Sequence, residues 1–168
     1  MKTLILVRHA KSSWDNPDLA DFERTLNKRG HRDASFMADV LAKHNIKPDL
    51  IITSPAVRAL TTAQYFADAL SYDKDRIITK ELIYDRGPRQ ILFMLNELNN
   101  SENCVILFGH NPDLSSLSQF LCNFEKGNLP TCGIVCIDFQ SDTWATVGDD
   151  KGTLRFFESP KMYFNKDK

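Results

Sequence analysis

The chain has 168 residues, and its 21 basic and 22 acidic side chains leave a formal net charge of −1. That length suits one domain over residues 1–168, able to bury roughly 70% of the surface its unfolded chain exposes, so neither a disulfide nor a structural metal is needed to fold it. With a pI near 6.4 there is no global basic field, which excludes wholesale binding of nucleic acid or of an anionic membrane.

Thr3 to Val7 is a short run of leucine and β-formers and reads as a buried strand. Arg8 and His9 follow it so quickly that the N-terminus is not expected to be a signal peptide. No apolar run anywhere approaches the ~20 residues of a membrane helix. Asn16 to Thr25 is polar and acidic and reads as a loop. From Lys28 to His44 the residues Phe36, Met37, Val40 and Leu41 recur at helical spacing, and Pro48 follows as a stop signal. Asp49 to Thr53 reads as a second buried strand. Ser54 and Pro55 then suit the N-cap and first position of a helix running to Leu70. Arg76 to Thr79 reads as a third strand, and Pro88 to Leu98 as a helix. Cys104 to Phe108 is a fourth strand, and a further helix runs from Asp113 to Phe124. Gly133 to Phe139 and Thr143 to Val147 read as an antiparallel hairpin, with Leu154 to Phe157 as a last edge strand.

Alternating strands and helices predict an α/β domain: a three-layer α/β/α sandwich with a mostly parallel central sheet and an antiparallel edge hairpin. Ligands bind such sheets outside the carboxyl ends of the strands. Three of those ends carry unusual residues. The first gives Arg8 and His9, the second places Arg58 one turn into the following helix, and the fourth gives His110. Two arginines and two histidines at one rim fit a phosphoryl group. Planar N–H forks match its anionic oxygens. Helix N-termini after Ser54 and Asn111 would add donors. A neutral histidine is a competent nucleophile toward phosphorus, and neighbouring guanidinium groups keep it neutral. A second histidine can donate to the transferring oxygens.

The four cysteines, at 104, 122, 132 and 136, lack zinc spacing, and none is followed by arginine six positions later, as a thiolate phosphatase loop would require. They read as free buried thiols in a reducing cytosol, so a cytoplasmic location is expected.

The stretches "LVRHAK", "ITSPAVRALTTA" and "LFGHNP" resemble, in order and spacing, the histidine phosphatase superfamily of phosphoglycerate-mutase-like enzymes. The resemblance implies that His9 is the nucleophile that becomes phosphorylated, that Arg8, Arg58 and His110 form the phosphate pocket, and that no metal or other cofactor is used. Short length, "RHAKSSW", "DFERTLNKRG" and "SPKM" are similar to the SixA-type phosphohistidine phosphatases, with Asp21, Arg24, Leu26, Arg29 and Gly30 carrying that second likeness. For Asp21, Arg24 and Arg29 an ion-paired loop is as good a reading as a substrate role.

Many relatives place an acidic general acid after the third strand. Here the text is Leu82-Ile83-Tyr84 with Asp85 next. Asp85 is the candidate acid and substrate contact, against a helix-capping role before Pro88. Ser12 is a candidate phosphate contact or a turn residue, and Trp14 either packs at the rim or fills core. A phosphorylated imidazole protonated on its other nitrogen leaves as a neutral ring whose conjugate acid has a pKa of ~6.5, far below the ~15.7 of water taken as a guide to an alkoxide. A weak or absent acid therefore favours phosphohistidine on a protein, such as a phosphotransfer domain or carrier protein. The alternatives are a small phosphate ester, hydrolysed by a phosphomonoesterase, and a phosphate-binding module without turnover. A mutase would need an acid and a closed pocket.

Overall fold

The computed structural model describes residues 1–164; the last four of the expected domain, 165–168, lie outside the described residues. Six strands form one sheet: β1 (Lys2–Arg8), β2 (Leu50–Thr53), β3 (Ile78–Thr79), β4 (Cys104–Gly109), β5 (Ile134–Phe139) and β6 (Gly152–Glu158), in the order β3-β2-β4-β1-β5-β6. The first four are mutually parallel. β5 runs antiparallel to β1, and β6 antiparallel to β5.

Helices cover both faces of the central strands, so β1, β2 and β4 are apolar in continuous runs and not in alternation. Ile5, Val7, Ile106 and Phe108 point into a core shared with α1 (Lys28–Lys43) and α2 (Val57–Ala69). Leu4, Leu6, Val105 and Leu107 point the other way, toward α4 (Pro88–Asn96) and α5 (Asp113–Cys122). Single-turn helices α3 (Leu82–Asp85) and α6 (Lys161–Phe164) complete the set. The architecture is the α/β fold expected, with the antiparallel pair at one edge.

Three local expectations change. The segment 143–147 is not a strand: Trp144–Thr146 forms a 3-10 turn, capped by Thr143 Oγ1 accepting from Ala145 N at 3.2 Å. Trp144 and Val147 are both buried in the same core. Residues three apart lie on opposite faces of a strand but on one side of a tight helical turn. The strand that pairs with β5 is therefore Gly152–Glu158, longer than the expected Leu154–Phe157.

The second change is at α2, which starts at Val57, after Ala56, and not at Pro55. Ser54 is not its N-cap. A residue before proline is pushed out of the helical region, and the Ser54 hydroxyl instead accepts from Ala56 N at 3.2 Å. Third, Arg76 closes a 3-10 turn (Lys74–Arg76) ahead of a two-residue β3.

α1 begins where the sequence indicates, with Asn27 Oδ1 accepting from Gly30 N at 2.8 Å. Gly30 also lets α1 touch the loop after β1: a Cβ there would stand 2.0 Å from the Lys11 carbonyl oxygen.

Candidate active site

β4 lies between β1 and β2, with Arg8 opposite Gly109 and Thr53 opposite Phe108. The ladder continues one residue beyond the strands: His9 N donates to Gly109 O, and Ser54 N to Phe108 O, both at 3.0 Å. His9, His110 and Ser54 thus leave three adjacent strands at one rim. The two imidazole rings come within 5.2 Å of each other, centroid to centroid. Arg58 is the second residue of α2. Thr62, one turn later, donates to the Arg58 carbonyl at 2.7 Å and accepts from Ala10 N at 3.0 Å, which clamps this helix to the residue after His9.

Arg8, Lys11, Arg24 and Arg58 surround a cavity of about 180 Å³ together with His9, Ser12, Trp14 and Thr131. Four cations and no carboxylate line it, a composition suited to an anion. Larger clefts elsewhere, such as one of about 470 Å³ beside Glu81 and Asp85, contain no histidine. The chemistry and not the volume therefore marks the site.

His9 is buried, and its Nδ1 lies 2.7 Å from the Ala10 carbonyl oxygen. A carbonyl only accepts, so Nδ1 carries the proton and Nε2 keeps a free lone pair. Burial, then the charges of His110, Arg58 and Arg8, pull the His9 pKa down to about 3 against the Ala10 bond. The ring is neutral at pH 7.

His110 is buried too, and its pKa falls to about 4 through burial and the nearby Arg58, with Asp21 opposing. Its Nε2 sits 2.8 Å from Ser54 Oγ. That hydroxyl accepts from Ala56 N and still has a proton to give to Nε2, the pairing in which the imidazole proton sits on Nδ1. Nδ1 is buried without a partner, as is Nε of Arg8. Buried donors of this kind are costly unless something accepts from them. The Tyr84 ring packs edge-on against His110, 5.5 Å between centroids.

A carboxylate fixes the arginines from behind. Asp21 Oδ2 accepts from Arg58 at 3.0 Å and from the Tyr84 hydroxyl at 2.7 Å, and Oδ1 accepts from Arg24 at 3.0 Å. The Asp21 backbone oxygen takes a second Arg58 donor at 2.6 Å. The Tyr84 bond, with help from Arg58 and Arg24, holds the Asp21 carboxyl down at about 2, and Tyr84 is pushed up in return. Arg24 also donates to the Ser13 carbonyl at 3.2 Å and to the Ser12 hydroxyl.

The opposite wall comes from the segment leading into β5. The Leu129 carbonyl accepts from Arg8 at 2.9 Å and from Asn111 Nδ2 at 2.8 Å. Cys132 N reaches the carbonyls of Arg8 and His9 at 3.0 and 3.1 Å, and Arg8 N donates to Gly133 O at 3.1 Å.

Of the residues selected from sequence, Arg8, His9, Ser12 and Arg58 share the cavity, and His110 adjoins His9. Ser12 is buried against Arg24, so its hydroxyl is already engaged. Asp85 does not join them. It ends α3 with an exposed side chain 3.5 Å from Arg86 and lines a different cleft. Arg29 is also outside, exposed and 3.9 Å from Asp33. Trp14 is not core: it is 72% exposed at the cavity rim. α5 opens at Asp113 after Pro112, and Asn111 Oδ1 accepts from Ser115 N in its first turn at 3.3 Å. Lys11, Ser54 and Tyr84 belong to the site without being marked as site residues by the sequence. Lys11 stands inside "RHAK", the one signal that could have marked it. Ser54 and Tyr84 depend on contacts 56 and 63 residues away in sequence.

All four cysteines are free, and burial raises each thiol, Cys104 and Cys136 to about 12. Among the described residues no helix is long and apolar enough to cross a membrane.

The sequence model of the histidine phosphatase superfamily (branch 1) matches residues 4–84. A solved structure from Agrobacterium tumefaciens, provisionally named phosphohistidine phosphatase SixA, is similar with a TM-score of 0.80 at 27% identity, covering 95% of this chain and 98% of that one. An uncharacterized chloroplastic protein of Arabidopsis thaliana is 44% identical over 61 residues, 36% of this chain. The 2,3-bisphosphoglycerate-dependent phosphoglycerate mutase of Mycobacterium leprae is 36% identical over 72 residues, 42% of this chain. These matches span only 28% and 29% of the length of those two relatives.

Proposed function

We propose that the chain, which matches the histidine phosphatase superfamily model over residues 4–84 and resembles the Agrobacterium structure over its length, is a phosphatase working through a phosphorylated His9, with phosphohistidine on a protein as its substrate. The observation that carries this reading is the Nδ1 bond of His9 to Ala10, which leaves Nε2 unprotonated among four cations.

In the first step the Nε2 lone pair attacks phosphorus in line. A P–Nε2 bond forms as the bond to the leaving group breaks. Arg8 and Arg58 neutralise the transferring oxygens, and Nε of Arg8 and Nδ1–H of His110 gain the acceptor they lack. When the substrate is phosphohistidine protonated on its distal nitrogen, the electron pair of the breaking P–N bond returns to the ring, which departs neutral. In the second step water attacks phosphorus, the P–Nε2 bond breaks back to the imidazole, and the water proton passes to solvent or to the phosphate released.

Phosphohistidine is favoured by the acid inventory. The cavity is lined by no carboxylate, and Asp21 is occupied by two arginines and Tyr84. An ester leaving group, a strong base, needs a proton that this site does not readily supply; an imidazole does not. Four free thiols suit a reducing compartment, the cytoplasm.

The test is to trap acid-labile, alkali-stable phosphate on the purified chain and map it, beside turnover of a histidine-phosphorylated phosphotransfer domain and of sugar phosphates. Label on His9, absent from His9→Ala, with turnover of the phosphodomain is expected. Rapid sugar-phosphate turnover with an inert phosphodomain would instead make it a small-molecule phosphomonoesterase.

A further inference from the structure

Trp14 is the one large side chain at the site that neither the phosphate pocket nor the core explains. The other tryptophan, Trp144, is fully buried, whereas Trp14 is 72% exposed while lining the cavity that holds His9, Arg8 and Arg58. Its ring is nonetheless held. The Arg24 guanidinium lies 3.3 Å from the ring centroid, a stacked cation on one face. Arg24 is in turn fixed by Asp21 at 3.0 Å, by the Ser13 carbonyl at 3.2 Å and by Ser12. One indole face is thus covered by an anchored cation. With so much of the side chain in solvent, the other face is open.

A rigid aromatic plane beside a phosphate pocket suits a substrate whose phosphoryl group is joined to another flat ring. Ring-on-ring stacking adds selectivity at small entropic cost when one partner is already ordered. An aliphatic phosphate has nothing to lay against it.

We propose that Trp14 is the specificity-determining residue of this site: its open face stacks on the imidazole ring of the phosphohistidine substrate while the phosphoryl group is held by Arg8 and Arg58 in front of His9. This rests on the phosphatase reading above and adds to it the element that recognises the leaving group. Arg24 acts as a positioning residue, through the indole.

The experiment compares N-phosphohistidine with phosphoramidate. Both present the same P–N bond, but only the first carries a ring. The selectivity, kcat/KM for phosphohistidine divided by that for phosphoramidate, is measured for the native chain, Trp14→Ala and Trp14→Phe. Trp14→Ala is expected to lower the selectivity about fivefold, mainly through KM for phosphohistidine, and Trp14→Phe to keep it within about twofold. An unchanged selectivity in Trp14→Ala, whether both substrates slow equally or neither slows, overturns the role of Trp14 and leaves the phosphatase reading standing. A native chain inert toward both compounds while it turns over the phosphotransfer domain overturns ring recognition by Trp14 alone; one inert toward all three overturns the phosphatase reading as well.

Discussion

Replacing Asp21 by alanine removes a carboxylate that touches no cavity wall itself yet holds two of the four cations that do. Three side-chain bonds are lost: to Arg58, Arg24 and Tyr84. Intact charge-assisted bonds are worth about 1.5–3 kcal/mol each, but Asp21 is half exposed, and exposed pairs fall to about 1 kcal/mol or less. Arg58 also keeps the backbone oxygen of residue 21, so part of its tether survives. A loss of about 1.4 kcal/mol in transition-state positioning is the reasonable figure, roughly tenfold in kcat/KM. An opposing effect must be weighed. The carboxylate repels an incoming phosphoryl group, by about 0.5 kcal/mol per unit charge at ~8 Å in water, and solvent at this half-exposed position keeps the term small. Positioning should therefore win. The assay is hydrolysis of an aryl phosphate by the native chain, Asp21→Ala and Asp21→Asn, with phosphate inhibition measured alongside. Asp21→Asn, which keeps one acceptor, should fall between the other two. The carboxyl pKa is near 2, below its unfolded value, so the stabilising bonds are fully present above about pH 4 and fade only as the pH drops toward 2. Activity of Asp21→Ala within twofold of native, or above it, would refute the positioning argument.

Two further outcomes test the frame of the site. Gly30→Ala should destabilise the chain by about 2 kcal/mol or more in urea unfolding, because its Cβ would meet the Lys11 carbonyl, a backbone group that cannot swing aside; a loss below 0.5 kcal/mol would contradict the close approach. His9 and His110 have folded pKa values of about 3 and 4, below the unfolded ~6.5, so between those limits the unfolded chain binds more protons and stability falls as the pH drops from 6.5. The His9 Cε1–H resonance should not titrate between pH 8 and 5, and a midpoint near 6.5 would show that the ring is not desolvated.

The parallel core was legible because strands buried on both faces are short unbroken apolar runs, and β1, β2 and β4 announce themselves that way. Their order in the sheet then assembles the site, since residues following three neighbouring parallel strands must emerge together. Thr143–Val147 reads as a strand because Trp144 and Val147 are β-formers, and only their common burial reveals a helical turn. Ser54-Pro55 resembles a helix start, yet the serine is drawn to His110, a partner 56 residues away. Asp85 stands out in the sequence as an acid just after the third strand, but the α3 turn exposes it to solvent beside Arg86. Tyr84 carries no local signal: its hydroxyl matters because the loop containing Asp21 folds over it, and long polar loops leave little periodicity to read.

The Leu129 carbonyl, shared by Arg8 and Asn111, bears on how such a scaffold can diversify. A hood grown above the phosphate would naturally sprout from the turn joining α5 to β5. The downstream half of that turn is committed, since lengthening it at Leu129–Gly133 would drag away the oxygen that aims the Arg8 guanidinium and the amide that pins the His9 carbonyl. Extra residues are tolerable only upstream, from Glu125 to Asn128, an exposed stretch between the buried Phe124 and Leu129.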